Sequence, residues 1–329
     1  MTAEQAFDEI SNISSDEQFN ELAIEIFEYQ AKHLPVYRKF IDLLEFDVSS
    51  VNHYSEIPFL PIEFFKSEKV IIEGLEAQQI FKSSGTTGEN RSTHCVHSSD
   101  LYRRLSIKAF ESMYGNPRAY TFLAVLPTYA ERTDSSLVFM ISEFMKLSPE
   151  HSHGFFMNDQ EKLLLQLELC QQRGEQVILV GVTFALLDLA DKGTALYPNV
   201  VVMETGGMKG RREEIIREEL HQILKTSFKV SSIHSEYGMT ELLSQAYSKG
   251  GGVFYSPDWM KVIIRDVNDP FSYCKKGKTG GINVIDLGNV FSCSFIATQD
   301  LGRAHIDGGF EVLGRFDNAE VRGCNLLSI

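Results

Sequence analysis

Apolar residues in the first eighty positions recur at the spacing of a helix. The repeat runs through Phe19, Leu22, Ala23, Ile26 and Phe27. Ser15 and Gln18 precede it as a predicted capping box, and Pro35 is expected to end the helix. The stretch IPFLPIEFF (57–65) contains two prolines and predicts a packed loop. Residues 1–80 are therefore predicted to form a helical region that packs on the rest of the chain.

From residue 120 onward, continuous apolar runs alternate with amphipathic stretches. The runs predict strands at YTFLAVLP (120–127), QVILVGV (176–182) and NVVVMETGG (199–207). The stretches predict helices at SSLVFMISEFMK (135–146), TFALLDLAD (183–191) and RREEIIREELHQILK (211–225). Strands rich in Val, Ile and Leu that are separated by helices predict a parallel sheet covered on both faces. In such sheets, ligands bind beyond the carboxyl ends of the strands.

The strands predicted after residue 250 have little helix between them. They are GINVIDLG (281–288), VFSCSFIA (290–297) and FEVLG (310–314). The predicted fold therefore belongs to the α/β class, with a layered parallel-sheet core over 81–250 and a smaller β-rich subdomain over 251–316. Residues 317–329 are predicted to form a tail.

The charge of the chain limits its partners. It has 31 Lys and Arg residues against 45 Asp and Glu residues, a net charge of −14. This acidity excludes a broad electrostatic grip on nucleic acid or on an anionic membrane. Five cysteines without a CxxC pair argue against a disulfide framework and a structural zinc site. With no signal peptide and no membrane-length apolar run in the sequence, a cytoplasmic protein is predicted.

The first motif with candidate chemistry is Lys82-Ser83-Ser84-Gly85-Thr86-Thr87-Gly88. Its glycines permit tight turns, and its hydroxyls and backbone N–H groups can surround a phosphate. It lacks the Gly-Lys-Ser/Thr of a P-loop, so the motif differs from that nucleotide site. A polar surface loop is the alternative interpretation.

The second motif is His234-Ser235-Glu236-Tyr237-Gly238-Met239-Thr240-Glu241. A tyrosine beside a glycine can stack on a flat base, while Thr240 and Glu241 offer oxygen ligands suited to Mg²⁺ and phosphate. The alternative is a helix N-terminus that Thr240 caps and Glu241 stabilises through the helix dipole. Both interpretations can hold together.

The third motif has two parts, TQDLGR (298–303) and GRFD (314–317). Asp300 and Arg315 can hydrogen-bond a ribose diol. Taken separately, each is more typical of a turn.

Together and in this order, the motifs resemble those of the adenylate-forming superfamily of acyl-CoA synthetases, peptide-synthetase adenylation domains and luciferases. SSGTTG matches its serine/threonine/glycine loop, EYGMTE its Tyr-Gly-x-Thr-Glu motif and GRFD its hinge motif. TQDLGR matches its Thr-Gly-Asp motif with Gln299 in place of glycine, and Glu204-Thr205-Gly206-Gly207 falls where the superfamily has an adenine-binding segment. The resemblance covers about residues 80 to 324 and implies the fold of the superfamily's large N-terminal domain.

The resemblance also implies an enzyme that uses ATP and Mg²⁺. Carried over to this sequence, the adenine contacts would be Tyr237, Gly238, Gly206 and Gly207. The phosphate contacts would be Ser83, Ser84, Gly85, Thr86, Thr87, Gly88 and Thr240. Asp300 and Arg315 would bind ribose, and Glu241 would bind Mg²⁺.

Two departures from the superfamily bear on the chemistry. The phosphate loop continues Glu89-Asn90-Arg91 and lacks the Pro-Lys-Gly that often follows. The sequence reaches Ile329 just past GRFD, so the superfamily's C-terminal domain with its catalytic lysine is expected to be absent. The candidates for supplying that positive charge are Lys82, Arg91 and Arg132.

The tail indicates a closer resemblance. Cys324 lies five residues from the end, and with LPTYAERTDSSLVFM (126–140) it looks like the acyl-protein synthetases of bacterial luminescence (LuxE type). Those enzymes make an acyl-adenylate from a fatty acid and ATP and then take the acyl group onto a cysteine near their C-terminus. The resemblance implies acylation of Cys324 and transfer to a partner protein, either a reductase or a carrier. The alternatives are an acyl-CoA or acyl-carrier ligase with a structural Cys324, and a non-catalytic nucleotide- or acyl-binding relative.

Two further residues are assigned to the acid substrate. Arg132 follows the predicted strand end at Pro127, a position that suits a substrate-side loop, although Asp134 or Ser135 can simply cap the next helix there. His234 precedes the adenine motif and can orient the substrate carboxylate. A packed or capping histidine is the alternative at that position.

Overall fold

Helices dominate the start of the chain, and the described residues after them form two six-stranded sheets and the two-stranded sheet β2–β3. A computed structural model describes residues 1–84, 91–128, 130–148, 153–206 and 215–316. Within them the helices are α1 (Ala3–Ser11), α2 (Asp16–His33), α3 (Pro35–Leu43), α4 (Phe64–Ser67), α5 (Ser99–Tyr114), α6 (Ser136–Leu147), α7 (Gln160–Arg173), α8 (Thr183–Ala190) and α9 (Arg217–Phe228). The strands are β1 (Leu60–Pro61), β2 (Gln79–Lys82), β3 (Thr93–Val96), β4 (Tyr120–Val125), β5 (Gly154–Phe155), β6 (Gln176–Val182), β7 (Val200–Thr205), β8 (His234–Tyr237), β9 (Ala246–Ser248), β10 (Val253–Phe254), β11 (Met260–Arg265), β12 (Thr279–Asp286), β13 (Phe295–Ala304) and β14 (Phe310–Arg315).

The N-terminal helices follow most of the signals in the sequence. α2 begins after Ser15, whose hydroxyl accepts the Gln18 N–H at 3.2 Å, and α3 starts at Pro35. The predicted capping box is wrong in its second half, because the Gln18 side chain accepts from the Ser14 N–H at 2.9 Å. The loop predicted over 57–65 also contains β1 and the start of α4, because β1 pairs with β13.

The central sheet has the order β5-β4-β6-β7-β8-β9, in which the first five strands are parallel and β9 is antiparallel. β4, β6 and β7 coincide with the three apolar runs, and nearly all of their side chains are buried. Strands buried along their whole length must be covered on both faces. The predicted α/β class with a parallel core is confirmed.

The helices predicted beside these strands are present, with one shifted boundary. α6 and α8 occupy the predicted stretches, and Ser135 caps α6 by accepting the Val138 N–H at 3.4 Å. The start predicted for the helix over 211–225 is wrong, since α9 begins at Arg217 after the extended Ile216, and residues 211–214 lie outside the described residues. No described helix combines the length and the apolar content that a bilayer crossing requires.

The second sheet contains the C-terminal strands in the order β10-β14-β13-β12-β11, with β1 added parallel to β13. It confirms the predicted β-rich region, but β11 was not anticipated. The strand predicted over 290–297 begins only at Phe295 and continues to Ala304. A bulge between Leu301 and Gly302 shifts the register against β14, and a Cβ at Gly302 would collide with the Glu311 carbonyl.

A buried glutamine joins the N-terminal helices to the second sheet. Gln30 of α2 is fully buried, and its Nε2 donates to the carbonyls of Asn289 at 3.0 Å and Val290 at 3.1 Å. Its Oε1 accepts the Ser294 N–H at 3.0 Å. These bonds hold the segment between β12 and β13, which is why residues 290–294 are buried without being a strand.

We expect Gln30→Leu to lower the free energy of unfolding by about 2–4 kcal/mol. The substitution keeps the side-chain volume but leaves buried donors and acceptors without partners. Urea denaturation measures the change. Gln171→Leu, on the exposed side of α7, is the matched control and should stay within about 0.5 kcal/mol. Equal losses in the two variants would contradict a specific role for Gln30.

Candidate active site

The first motif lies at the end of a β-hairpin formed by β2 and β3. Lys82 and Thr93 are the last pair of the ladder. Beyond them the Ser83 N–H donates to the Ser92 carbonyl, and the Ser92 N–H donates to the Ser83 hydroxyl, each at 3.0 Å. Ser83 and Ser84 are described, whereas Gly85, Thr86, Thr87 and Gly88 lie outside the described residues. The chain that enters the motif at Lys82 and Ser83 is therefore joined to Ser92 and Thr93, beyond residues 85–90.

The second motif begins in β8 and turns away from the sheet after Tyr237. Gly238 has no room for a side chain, because a Cβ there would collide with Glu236 Oε1. His94 Nδ1 donates to the Thr240 carbonyl at 2.8 Å, and Asn289 Nδ2 donates to the Glu241 carbonyl at 2.8 Å. Both donor side chains are fully buried, so they fix the path of the turn that carries the two predicted ligands.

The third motif meets the second through Tyr237. Its hydroxyl donates to Asp300 Oδ2 at 2.9 Å, and Asp300 lies opposite Arg315 in the β13–β14 ladder. Arg315 donates to Gln299 Oε1 at 2.8 Å, so the glutamine that replaces the superfamily's glycine orients the arginine. The Tyr237 ring also packs edge-on against Phe310, with its centroid 5.6 Å away. The residues assigned to adenine and ribose are thus neighbours.

Two carboxyl groups lie beside this junction, of which Glu241 is buried and Asp300 is partly buried. Burial raises the pKa of Glu241, and the charge of Asp300 raises it further, while the Ser92 side chain and the charge of Arg315 oppose the shift. Burial also raises the pKa of Asp300 against the effects of Tyr237 and Arg315. Carboxylate oxygens are ligands that Mg²⁺ prefers, so the Glu241 side chain fits this cation.

The ligands for such a cation are incomplete on the protein side. Throughout the described ranges, no three His, Cys, Asp or Glu side chains are placed to hold a metal ion together. Mg²⁺ commonly takes one or two carboxylates from the protein and its other ligands from substrate phosphates and water. Glu241 is therefore suited to a metal that arrives with a nucleotide.

The carboxyl ends of β7 and β8 carry two glutamates without an assigned role in the sequence. Burial raises the pKa of Glu236 to about 7, while the Thr205 hydroxyl donates to its carboxyl group. Burial opposes ionisation of Glu204 as well, but hydrogen bonds from His221 and the charge of Arg217 leave its pKa below the ordinary value. Arg217 also donates to the carbonyl of residue 312 at 2.7 Å, which ties α9 to the second sheet.

The glycine-rich end of β7 contributes a tight turn beside these acids. Gly206 has φ +69°, a left-handed conformation that glycine adopts without strain. The Thr183 hydroxyl donates to the Gly206 carbonyl and fixes the turn. Gly207 lies outside the described residues.

Two of the three candidate cations, Arg91 and Arg132, meet at one aspartate, and the third, Lys82, contacts it through its backbone. Arg132 Nε bonds to Asp134 Oδ1 at 2.7 Å, and Arg91 Nη2 bonds to Asp134 Oδ2 at 2.9 Å. Arg91 also donates to the Ser83 and Lys82 carbonyls, and the Lys82 N–H donates to the Asp134 carbonyl at 2.7 Å. The structure therefore brings Arg132 to the base of the phosphate loop.

His234 does not join this group. It is the first residue of β8, and Tyr237 at the carboxyl end lies about 10 Å further along the strand. Its Nδ1 accepts the Tyr114 hydroxyl at 3.0 Å. Burial, with the charges of Lys249 and His221, lowers the pKa of His234 to about 4. The packed histidine weighed as the alternative describes its surroundings better than contact with the reacting groups.

Sequence reasoning missed several residues that shape the site. His94, Asn289 and Asp134 act through hydrogen bonds to residues 40 to 150 positions away, and such pairs leave no periodic signal. Asp134 was considered from the sequence only as a cap for the next helix, and its bonds to the two arginines were not predicted. Cys324 lies outside the described residues, as does Asp317 of the hinge-like motif.

The chain is similar to a protein family and to several solved structures. The family described as "Acyl-protein synthetase, LuxE" matches residues 7–328. A crystal structure of 2-hydroxyisobutyryl-CoA ligase in the postadenylation state, with 2-HIB-AMP, is similar at a TM-score of 0.69 and 12% identity, covering 92% of this chain and 68% of that one. No curated protein sequence matches the chain.

Two further solved structures have the same fold over a shorter part of this chain. O-succinylbenzoate coenzyme A synthetase (MenE) from Bacillus subtilis, in complex with AMP, has a TM-score of 0.51 and 17% identity, covering 72% of this chain and 49% of that one. ATP-bound MatB from Rhodopseudomonas palustris has a TM-score of 0.50 and 19% identity, covering 72% and 47%. The chain thus spans about half the length of these two proteins, and the likeness concerns the fold.

We expect His94→Gln to change how stability depends on pH. Burial lowers the pKa of His94 from 6.5 to about 4, so the unfolded chain binds this proton more readily than the folded protein does. The free energy of unfolding of the wild type should therefore fall by about 3 kcal/mol relative to that of the variant as pH falls from 6.5 to 4. Urea denaturation across this range measures the difference. Gln171→Leu removes no titrating group and is the control, and a pH-independent difference for His94→Gln would contradict the expectation.

Proposed function

This chain belongs to the LuxE family of acyl-protein synthetases, which are adenylate-forming ligases, and we propose that it activates a fatty acid with ATP. The acid is converted to an acyl-AMP, and the acyl group then passes to Cys324 and onward to a partner protein. Family membership supports the adenylating chemistry. The acid, the cysteine and the partner are parts of the proposal.

The proposal rests mainly on one observation. The three motifs that the sequence singled out are far apart along the chain but lie next to one another at the carboxyl edge of the central sheet. Tyr237 ends β8 in a hydrogen bond with Asp300 of β13. Glu241 follows four residues later, and burial raises its pKa against the effect of the nearby side chain of Ser92, whose N–H donates to the Ser83 hydroxyl at the base of the phosphate loop. Ligands of α/β sheets bind at this edge, so a nucleotide placed here can contact all three motifs.

The motifs divide the nucleotide between them. Tyr237, Gly238, Gly206 and Gly207 are assigned to adenine, and Asp300 with Arg315 to the ribose hydroxyls. Thr240 and the loop from Ser83 to Gly88 are assigned to the phosphates. The left-handed Gly206 and the crowded Gly238 support the first assignment, since both allow the backbone to approach a flat ring closely. ATP bound to MatB and AMP bound to MenE, on the same fold, add support.

The adenylation step is an in-line displacement at the α-phosphorus. A carboxylate oxygen of the acid forms the new P–O bond while the bond to the β-phosphate oxygen breaks, and pyrophosphate leaves with the electron pair. The protein's part is positioning and charge stabilisation. Mg²⁺ held by Glu241 would neutralise phosphate charge in this step.

The transfer step uses the acyl-AMP as a mixed anhydride. The thiolate of Cys324 would attack the acyl carbonyl carbon, the bond to the AMP oxygen would break, and AMP would leave as the thioester forms. A thiolate is a strong nucleophile toward such an anhydride. A second attack by a nucleophile of the partner protein would release the cysteine.

We expect Glu241→Gln to reduce acid-dependent ATP–pyrophosphate exchange by about 100-fold, because the variant loses the charge that attracts the metal. Exchange of labelled pyrophosphate into ATP across a panel of fatty acids measures this. Glu161→Gln on the exposed surface of α7 is the control and should exchange like the wild type. Unchanged exchange in Glu241→Gln would remove Glu241 from the metal site.

We expect incubation with ATP and the acid to raise the intact mass of the protein by one acyl group, and Cys324→Ser to abolish that adduct. Exchange should persist in Cys324→Ser, because adenylation precedes the thioester. Cys274→Ser, which alters a partly exposed cysteine of the second sheet, is the matched control. An adduct of equal yield in Cys324→Ser would reject the thioester step and leave adenylation intact.

The same assays separate the alternatives. Formation of acyl-CoA by Cys324→Ser at the wild-type rate would identify an acyl-CoA ligase with a structural cysteine. Binding of ATP in calorimetry without exchange for any acid would identify a non-catalytic nucleotide-binding protein. We favour the acyl-protein synthetase because the family match covers residues 7–328.

A further inference from the structure

A cluster of three charged side chains with a net positive charge lies at the base of the phosphate loop. It consists of two arginines, Arg91 and Arg132, with Asp134 between them, and we call this cluster the guanidinium pair. It combines two positive charges and one negative charge. Each oxygen of Asp134 accepts from a different arginine, at 2.9 and 2.7 Å. The three side chains are 27–31% exposed, so the cluster is open to a ligand on one side.

We propose that the guanidinium pair is the binding site for the pyrophosphate portion of ATP and for pyrophosphate as it leaves, with Asp134 as the positioning residue. The inference rests on the proposed adenylation and assigns Arg132 to the phosphates and not to the acid. The ligand class is a polyphosphate with two or more adjacent phosphoryl groups.

The hydrogen bonds within the pair leave donors for an anion. Among the described residues Arg132 bonds only through Nε, which leaves both of its terminal nitrogens for a ligand. Arg91 uses Nε and Nη2 for Ser83, Lys82 and Asp134, which leaves Nη1. A planar guanidinium held through one edge presents its other edge to phosphate oxygens in a fixed orientation.

The pair also lies close to the predicted metal ligand. Ser92 follows Arg91 directly, and its side chain is close enough to the Glu241 carboxyl group to oppose the rise in pKa that burial causes there. A polyphosphate that shares a metal ion with Glu241 would therefore lie near the segment that carries Arg91. When the bond between the α-phosphorus and the bridging oxygen breaks, the electron pair stays on that oxygen. Fixed positive charge at this place stabilises the departing pyrophosphate without reorganisation.

Asp134 orients the two guanidinium groups, although its negative charge opposes the binding of an anion. Its carboxylate lowers the net charge of the cluster and on electrostatic grounds weakens anion binding. Its two oxygens, however, hold both guanidinium groups, and its carbonyl accepts the Lys82 N–H of β2. If alignment dominates, removing the carboxylate weakens pyrophosphate binding, and if charge dominates, removal strengthens it. The sign of the change therefore tests the positioning role.

The experiment is calorimetric titration of the full chain with magnesium pyrophosphate, using Arg91→Gln, Arg132→Gln and Asp134→Asn. Arg118→Gln, an exposed arginine before β4, is the matched control. We expect the Kd to rise about tenfold in each arginine variant, as the loss of one charge-assisted contact implies, and to rise severalfold in Asp134→Asn. The control should bind like the wild type. Arg132→Lys should recover only part of the loss, because a lysine lacks the second edge.

Several results would overturn the inference. The site assignment fails if the wild type binds no pyrophosphate at millimolar concentration or if both arginine variants bind it normally. Tighter binding by Asp134→Asn would reject the positioning role. A further contrary result in exchange assays is an Arg132→Gln variant with a raised KM for the acid and an unchanged KM for pyrophosphate. That result would show that Arg132 binds the acid substrate and not the pyrophosphate. Failure of adenylation itself is recognised separately, as a wild type that binds pyrophosphate but exchanges none with any acid.

Discussion

The turn that follows β8 is fixed by hydrogen bonds from two buried side chains, and the positions of the other site residues depend on this turn. His94 and Asn289 donate hydrogen bonds to the carbonyls of the consecutive residues Thr240 and Glu241. A buried carbonyl without a donor costs about 1–3 kcal/mol, so the turn cannot shift without losing both bonds. The direction in which Glu241 points, and hence its contact with the loop at Ser92, depends on this arrangement.

The electrostatics of the site follow from burial at that turn. Burial raises the pKa of Glu241, and the charge of the partly buried Asp300 raises it further. Arg315 compensates part of this charge from the second sheet, while Arg91 and Arg132 lie on the side of the phosphate loop. A chain with a net charge of −14 thus concentrates positive charge where a polyphosphate is proposed to bind.

The apolar pattern predicted the parallel core well because buried strands need continuous apolar sequence. The same pattern predicted less well where hydrogen bonds to side chains take the place of backbone hydrogen bonds between strands. Residues 290–294 were predicted as part of a strand, yet the Val290 carbonyl and the Ser294 N–H bond to Gln30 of α2. The charged stretch before α9 resembles a helix, but Ile216 is extended and Arg217 bonds to Glu204 of β7. In both places a partner distant in sequence decides the backbone conformation.

The fold class, the order of the motifs and the resemblance to adenylate-forming enzymes could be predicted from the amino-acid sequence. These properties depend on local composition and on residue types at short spacing, which a single chain displays directly. Two other relations became visible in the folded chain: Asp134 joins Arg91 to Arg132, and His234 lies at the far end of β8 from Tyr237. Such relations depend on hydrogen bonds and strand direction across many intervening residues, and they exist only once the chain has folded.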